Sequence, residues 1–289
     1  MPALAALVLV TAVWGLTFVQ VKDAVALYPL FAFLALRFAI ASIVLAVPAA
    51  RRLRSLGAPG WRAGVALGLL LAVGYALQTA GLERTTVSSA GFITGLYVVF
   101  TPLLALLLFR TRVGAAVWIG VVLAALGLAL LSGVGAGDPL GDALVLGGSA
   151  AYSLQIVLME RYSPRFDPVA FTQAEMLAAF GGFAVVAVAL GQIELPRGWT
   201  VWGALLVTGI FASALGFLVQ TWAQQRTSAT RTALAFALEP VFAGIFGFWL
   251  AGDRLGAIGW AGCAVIMTGI VVAEPEAGRT LRRLVGRGV

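Results

Sequence analysis

Histidine is missing from all 289 residues, and cysteine occurs once, at Cys263. Without His the chain lacks the usual general base and the commonest metal ligand. The HExxH zinc site and the Ser-His-Asp hydrolase triad are therefore both excluded. A single Cys can form no intrachain disulfide, and inside its apolar run Cys263 reads as a small buried apolar residue. Charge is also scarce: 11% of residues are charged and 61% are hydrophobic, with a mean hydropathy of +1.02. An ordinary soluble domain carries roughly 25% charged residues. So little charge cannot cover a water-facing surface of this size, which leaves a polytopic membrane protein. A membrane-embedded paired-aspartate protease needs two deep Asp, but Asp23, Asp138, Asp142, Asp167 and Asp253 all fall at loops or span ends. No enzyme is expected, and no metal or other cofactor.

The segments that are present are long and apolar. A membrane-crossing helix needs about 20 mostly apolar residues. Ten segments qualify: 3–22, 30–50, 62–82, 87–109, 113–132, 140–159, 168–190, 200–223, 229–250 and 257–274. The first has no basic leader and no clear cleavage site, so it reads as a retained span. The net charge of +7 would suggest nucleic acid in a soluble protein. Here the cations lie between spans, so a lipid bilayer is the expected partner and nucleic acid is not. One side would hold Arg51, Arg52, Arg54, Arg62, Arg110, Arg112, Arg161, Arg165, Arg226, Arg231, Arg279, Arg282, Arg283 and Arg287, and the other Lys22, Arg84, Arg197 and Arg254. By the positive-inside rule both termini are cytoplasmic, and residues 276–289 form a basic cytoplasmic tail. Eighteen Arg against one Lys suggest a GC-rich, bacterial source and hence an inner-membrane location.

The chain also resembles itself. Arg112, Gly114, Trp118 and Gly120 recur 142 residues later as Arg254, Gly256, Trp260 and Gly262, and Gly127 recurs as Gly269. At an offset of 138, Trp14 meets Tyr152, Arg37 meets Glu175, and Thr101-Pro102 meets Glu239-Pro240. The slip between the two offsets is about one helical turn. Residues 1–137 and 138–275 are thus two units of five helices. Because five is odd, the second enters the membrane from the opposite side, as in many secondary transporters.

Several side chains conflict with an apolar span. Pro102 and Pro240 lie inside spans four and nine. Each removes a donor and disturbs the carbonyl four residues earlier, at Val98 and Phe236. Loose backbone groups at membrane depth are tolerated inside protein or beside a water-filled cavity. Glu239, next to Pro240, is an ionisable residue at mid-membrane and so a functional candidate. Arg37 and Glu175 are equally deep and suggest an internal ion pair, helix-to-helix hydrogen bonds or a coupling role. Trp14, Tyr75, Tyr97, Tyr152, Gln78 and Gln155 lie near span centres and suit a cavity wall or interhelical bonds. Gly64/Gly68, Gly91/Gly95 and Gly252/Gly256 have GxxxG spacing, which permits close helix approach within or between protomers.

Together these residues carry a resemblance. Ala12, Trp14 and Gly15 stand in span one, Arg37-Phe38 in span two, and Ser88 to Pro102 approach a proline through small residues. Glu239-Pro240 and Gly252-Asp253-Arg254-Leu255 follow in the second half. This pattern resembles the drug/metabolite transporter superfamily, EamA type, and within it the YddG-type amino-acid exporters. The resemblance implies an all-α, ten-helix fold of two inverted repeats around a central cavity. It implies export of amino acids, aromatic ones above all, or of other small metabolites or lipophilic cations, by alternating access. A monomer or weak homodimer is expected. Thr101 departs from the pattern, since many such repeats carry a second polar or acidic residue before this proline.

Overall fold

Long apolar runs with few breakers leave each backbone N–H and C=O only its own helix as partner, so the chain folds as helices. The computed structural model describes residues 2–85, 87–132, 138–246 and 256–273. Gly252, Asp253, Arg254 and the tail at 276–289 lie outside the described residues. The helices are α1 (Pro2–Val25), α2 (Leu30–Ala49), α3 (Gly57–Arg84), α4 (Val87–Gly95), α5 (Tyr97–Phe109), α6 (Ala115–Ser132), α7 (Pro139–Tyr162) and α8 (Pro168–Ala189). There follow α9 (Gly198–Leu206), a π-helical segment (Val207–Leu215), α10 (Gly216–Gln224), α11 (Ala229–Phe236), α12 (Glu239–Phe246) and α13 (Ala257–Ala273). A short 3-10 turn, Leu53–Leu56, precedes α3.

Among the described residues, seven stretches are long and apolar enough to cross a membrane. The shorter α6 and α13 and the broken pair α11–α12 complete ten passes. Large apolar side chains stand bare on the outside, among them Val47 (85% exposed) and Leu107 (75%). On a soluble protein such a surface would be an aggregation hazard; around a bundle in lipid it is the outer wall. Asp138, Asp167 and Ser228 cap the N-termini of α7, α8 and α11 through their side chains.

Glycine contacts reveal the symmetry. A Cβ built on Gly120 of α6 would stand 2.5 Å from the Gly269 carbonyl oxygen of α13, and one on Gly127 would stand 2.6 Å from the Gly262 oxygen. Gly120 and Gly262 are repeat equivalents, as are Gly127 and Gly269, so each contact is the image of the other across a two-fold axis. The same holds at two other places. A Cβ on Gly74 would stand 2.6 Å from Tyr152 Cε1, and one on its equivalent Gly216 would stand 3.0 Å from Trp14 Nε1. A Cβ on Gly68 would stand 2.3 Å from the Glu175 carbonyl oxygen, and one on Gly209 would stand 3.1 Å from the Arg37 carbonyl oxygen. The fold is all-α, a ten-helix bundle of two inverted five-helix repeats. Gly64 and Gly68 pack within the chain, against Ala174 and Glu175 of α8, whereas a Cβ on Gly91 meets nothing.

Six positions separate Gly68 from Gly74, but seven separate Gly209 from Gly216. The π segment between the latter pair absorbs the extra residue, because an i→i+5 turn holds more chain per turn than an α turn. Span nine is interrupted at Ala237–Leu238, so Pro240 stands in the first turn of α12 and can offer no N–H to the Phe236 carbonyl four residues earlier. Span four is interrupted at Leu96, well ahead of Pro102, which lies inside α5.

Candidate functional site: a central chamber

The helix breaks and parts of α1, α2, α3, α7 and α10 meet around one chamber, with about 680 Å³ of empty space including its mouth. Trp14, Tyr75, Gln78, Tyr97, Tyr152, Gln155 and Glu239 all line it, and so does Arg37. Glu175 does not. The sequence reading missed Thr17, Thr94, Phe217 and Phe236, which carry no signal beyond depth and apolar surroundings.

The rings form a connected wall. Tyr75 meets Tyr152 edge-on at 5.4 Å and Phe38 at 5.3 Å, and Trp14 contacts Phe236 at 4.8 Å and Phe217 at 5.5 Å. Their polar ends are anchored. Trp14 Nε1 donates to the Ala212 carbonyl of the π segment at 2.8 Å. Tyr152 donates to Gln78 Oε1 at 2.9 Å, and Gln78 Nε2 donates to Thr94 Oγ1 at 2.9 Å. Tyr97 answers the gap left by Pro240. Its hydroxyl donates to the Phe236 carbonyl at 2.6 Å, the group that residue 240 would serve if it had an N–H, and lies 3.2 Å from Glu239 Oε2.

The expected Arg37–Glu175 ion pair is not formed. Arg37 Nε donates to Ser213 Oγ at 2.8 Å and Nη2 to the Tyr75 hydroxyl at 3.0 Å, with the guanidinium carbon 4.5 Å from the Tyr75 ring centre. Glu175 Oε1 instead accepts from Gln155 Nε2 at 3.1 Å. The two residues are repeat equivalents, so the same symmetry that pairs them in sequence lays each against the other repeat's third pass, Arg37 beside Gly209 and Glu175 beside Gly68. Among the described residues the ion pair found is at the surface, Arg52–Asp167 at 3.4 Å.

The two ends of the chamber differ. Its lining reaches Val21 and Leu82, beside Lys22 and Arg84. Toward the other end α7 and α10 are clasped together: Gln220 Nε2 donates to Gln155 Oε1 at 3.1 Å, and Gln224 Nε2 donates to the Ile156 carbonyl at 2.9 Å.

A family model matches this architecture over both halves: that of the EamA-like transporter family, over residues 1–133 and 139–273. The chain belongs to the EamA-like transporter family. Similar relatives carry transporter names. An uncharacterized transporter of Archaeoglobus fulgidus is 31% identical over 273 residues, covering 93% of this chain and 84% of that protein. The uncharacterized inner membrane transporter YedA of Escherichia coli K12 is 28% identical over 282 residues, covering 94% and 90%. A solved crystal structure superposes with a TM-score of 0.80 at 21% identity, covering 96% of this chain and 98% of that one, which speaks to the fold. This EamA-family member is accordingly a multi-pass membrane transporter of a small molecule and not an enzyme. Resemblance to the YddG type in particular is not among these findings.

Proposed function

We propose that this transporter exports amino acids, aromatic ones foremost, by alternating access. The observation that carries the reading is one chamber holding a guanidinium, a carboxyl and a wall of aromatic faces. Arg37 has five N–H donors, and the bonds to Ser213 and Tyr75 use two of them. The rest are available for a substrate carboxylate, with the fork geometry that favours bidentate binding. Glu239, 7% exposed on the lining, would take the ammonium group. Trp14, Tyr75, Tyr97 and Tyr152 would hold the side chain, with cation–π attraction also favouring the ammonium. Pro102 and Pro240 would mark the helices that rearrange as access alternates. The inverted symmetry supports alternation, because two similar halves can exchange conformations and expose one site to each side in turn. Both termini would be cytoplasmic in a bacterial plasma membrane, with the division at 137/138, a basic tail at 276–289, and a monomer or weak homodimer as the working form.

A lipophilic-cation cargo is the second reading, favoured by Glu239 among rings; Arg37 in the same wall opposes it. Counterflow of labelled Trp, Phe and Leu in proteoliposomes, with an organic cation as competitor, separates the two. Saturable amino-acid flux is expected, and none for any amino acid would reject this proposal.

A further inference from the structure

Behind the chamber wall lies a carboxyl that the cargo reading leaves unused. Glu175 of α8 has no exposed surface, and its Oε2 has no hydrogen-bond partner. Among the elements that pack on α8, α2 brings Arg37, α3 brings Arg62, Tyr75, Glu83 and Arg84, and the 3-10 turn brings Arg54. The π segment and α10 bring no titratable group. α7, which reaches Glu175 through Gln155, brings Asp142, Tyr152, Glu160, Arg161 and Tyr162. None of the cations among these comes within 4 Å of Glu175, and Arg37 is already bonded elsewhere. An ionised carboxylate so placed, with one amide donor, bears nearly its whole desolvation cost.

A metal cation does not fit the space, because hard cations take a shell of several oxygens. In the network around Glu175 only its own Oε2 and Gln220 Oε1 lack partners. A proton needs a single acceptor. We propose that Glu175 is a proton-binding site, and that Gln155 relays its occupancy to the chamber.

The relay is a turn of one amide. With Glu175 ionised, Gln155 Nε2 donates to Glu175 and its Oε1 accepts from Gln220, as observed. When a hydronium admitted past Gln155 gives its proton to Glu175 and leaves as water, the new O–H becomes a donor. Gln155 then turns its amide over: Oε1 accepts from Glu175, and Nε2 comes to face Gln220 Nε2, so the Gln155–Gln220 bond is lost. Gln220 keeps its 2.8 Å bond to Gln224. Gln155 and Gln220 line the chamber and clasp α7 to α10, so one proton changes both the wall facing the cargo and the closure at that end. The Gln155 amide carries no proton across; it reports one. This inference rests on the chamber being the transport path, but not on the cargo.

Infrared titration of the full-length protein in liposomes, without any cargo, tests the site directly. In Glu239→Gln, which removes the chamber's own carboxyl, a protonated-carboxyl C=O band that disappears as pH rises is expected, and it should be missing when Glu175→Gln is added. Gln155→Leu, which leaves Glu175 in place, should shift that band and covers the case in which Glu175→Gln does not fold. A band that survives Glu175→Gln, or ignores Gln155→Leu, overturns the proposal. Counterflow of labelled Trp with and without a pH gradient tests the coupling. Loss of the gradient's stimulation in Glu175→Gln with exchange at equal pH retained is expected, and undiminished stimulation would refute it. If the band titrates as described but no amino acid is carried, the cargo reading fails and the proton site stands.

Discussion

Replacing Tyr97 by Phe removes one oxygen from the chamber wall, and the structure says which group suffers. The Phe236 carbonyl has lost its helical donor to Pro240 and takes the Tyr97 hydroxyl at 2.6 Å instead. An orphaned buried acceptor costs about 1–3 kcal/mol. Water in the chamber can repair part of that, and hydrogen bonds between membrane helices average about 0.6 kcal/mol with a maximum near 1.7. A loss of about 1 kcal/mol is therefore expected for Tyr97→Phe, measured by reversible unfolding in mixed micelles. The decisive measurement is the double-mutant cycle with Pro240→Ala, which returns an N–H to the position four residues after Phe236. In that background the hydroxyl is redundant, and Tyr97→Phe should cost only a few tenths of a kcal/mol. An equal cost in both backgrounds would mean that the hydroxyl does not stand in for the missing amide.

Gly120→Ala should destabilise by about 1–3 kcal/mol through overpacking against the Gly269 carbonyl, while Gly91→Ala, which meets open space, should not; equal melting shifts for the two would contradict the α6–α13 contact. Trp14→Phe keeps a ring but removes the bond to the Ala212 carbonyl, so about 0.5–1.5 kcal/mol should be lost in the same unfolding assay; an unchanged unfolding midpoint would show that the bond contributes nothing. Arg37→Lys replaces a planar fork by a point charge that cannot hold Ser213, Tyr75 and a substrate carboxylate together. Competition by tryptophan should weaken while competition by its methyl ester does not; parallel weakening would place the carboxylate elsewhere.

Much of the architecture was legible in the chain. Self-comparison at 138 and 142 residues found the repeat because packing needs Gly at the same crossing in each half: Gly120 and Gly127 answer to Gly269 and Gly262. Depth alone marked Trp14, Tyr75, Tyr97, Tyr152 and Glu239, since a polar end in the middle of an apolar span must find a partner or a cavity, and all five line the chamber. The π segment was not legible. Its i→i+5 bonds leave no mark on composition, and the extra residue between Gly209 and Gly216 shows only when its contacts with α1 and α2 are compared with those of Gly68 and Gly74. Nor were the break points, because a proline ends a helix or opens one depending on which donors surround it.

The amino-acid sequence determined by itself that this is a lipid-embedded bundle of two opposed halves with an ionisable, aromatic interior. Hydrophobicity and period are sums over many residues, and they survive without knowledge of neighbours. Tertiary structure decided the pairing: Arg37 with Ser213 rather than Glu175, the Tyr97 hydroxyl with the carbonyl that Pro240 leaves free, and Glu175 with Gln155. Each bond joins groups on different helices at hydrogen-bond range. Such contacts are set by the crossing and rotation of helices, and no local pattern along the chain specifies those.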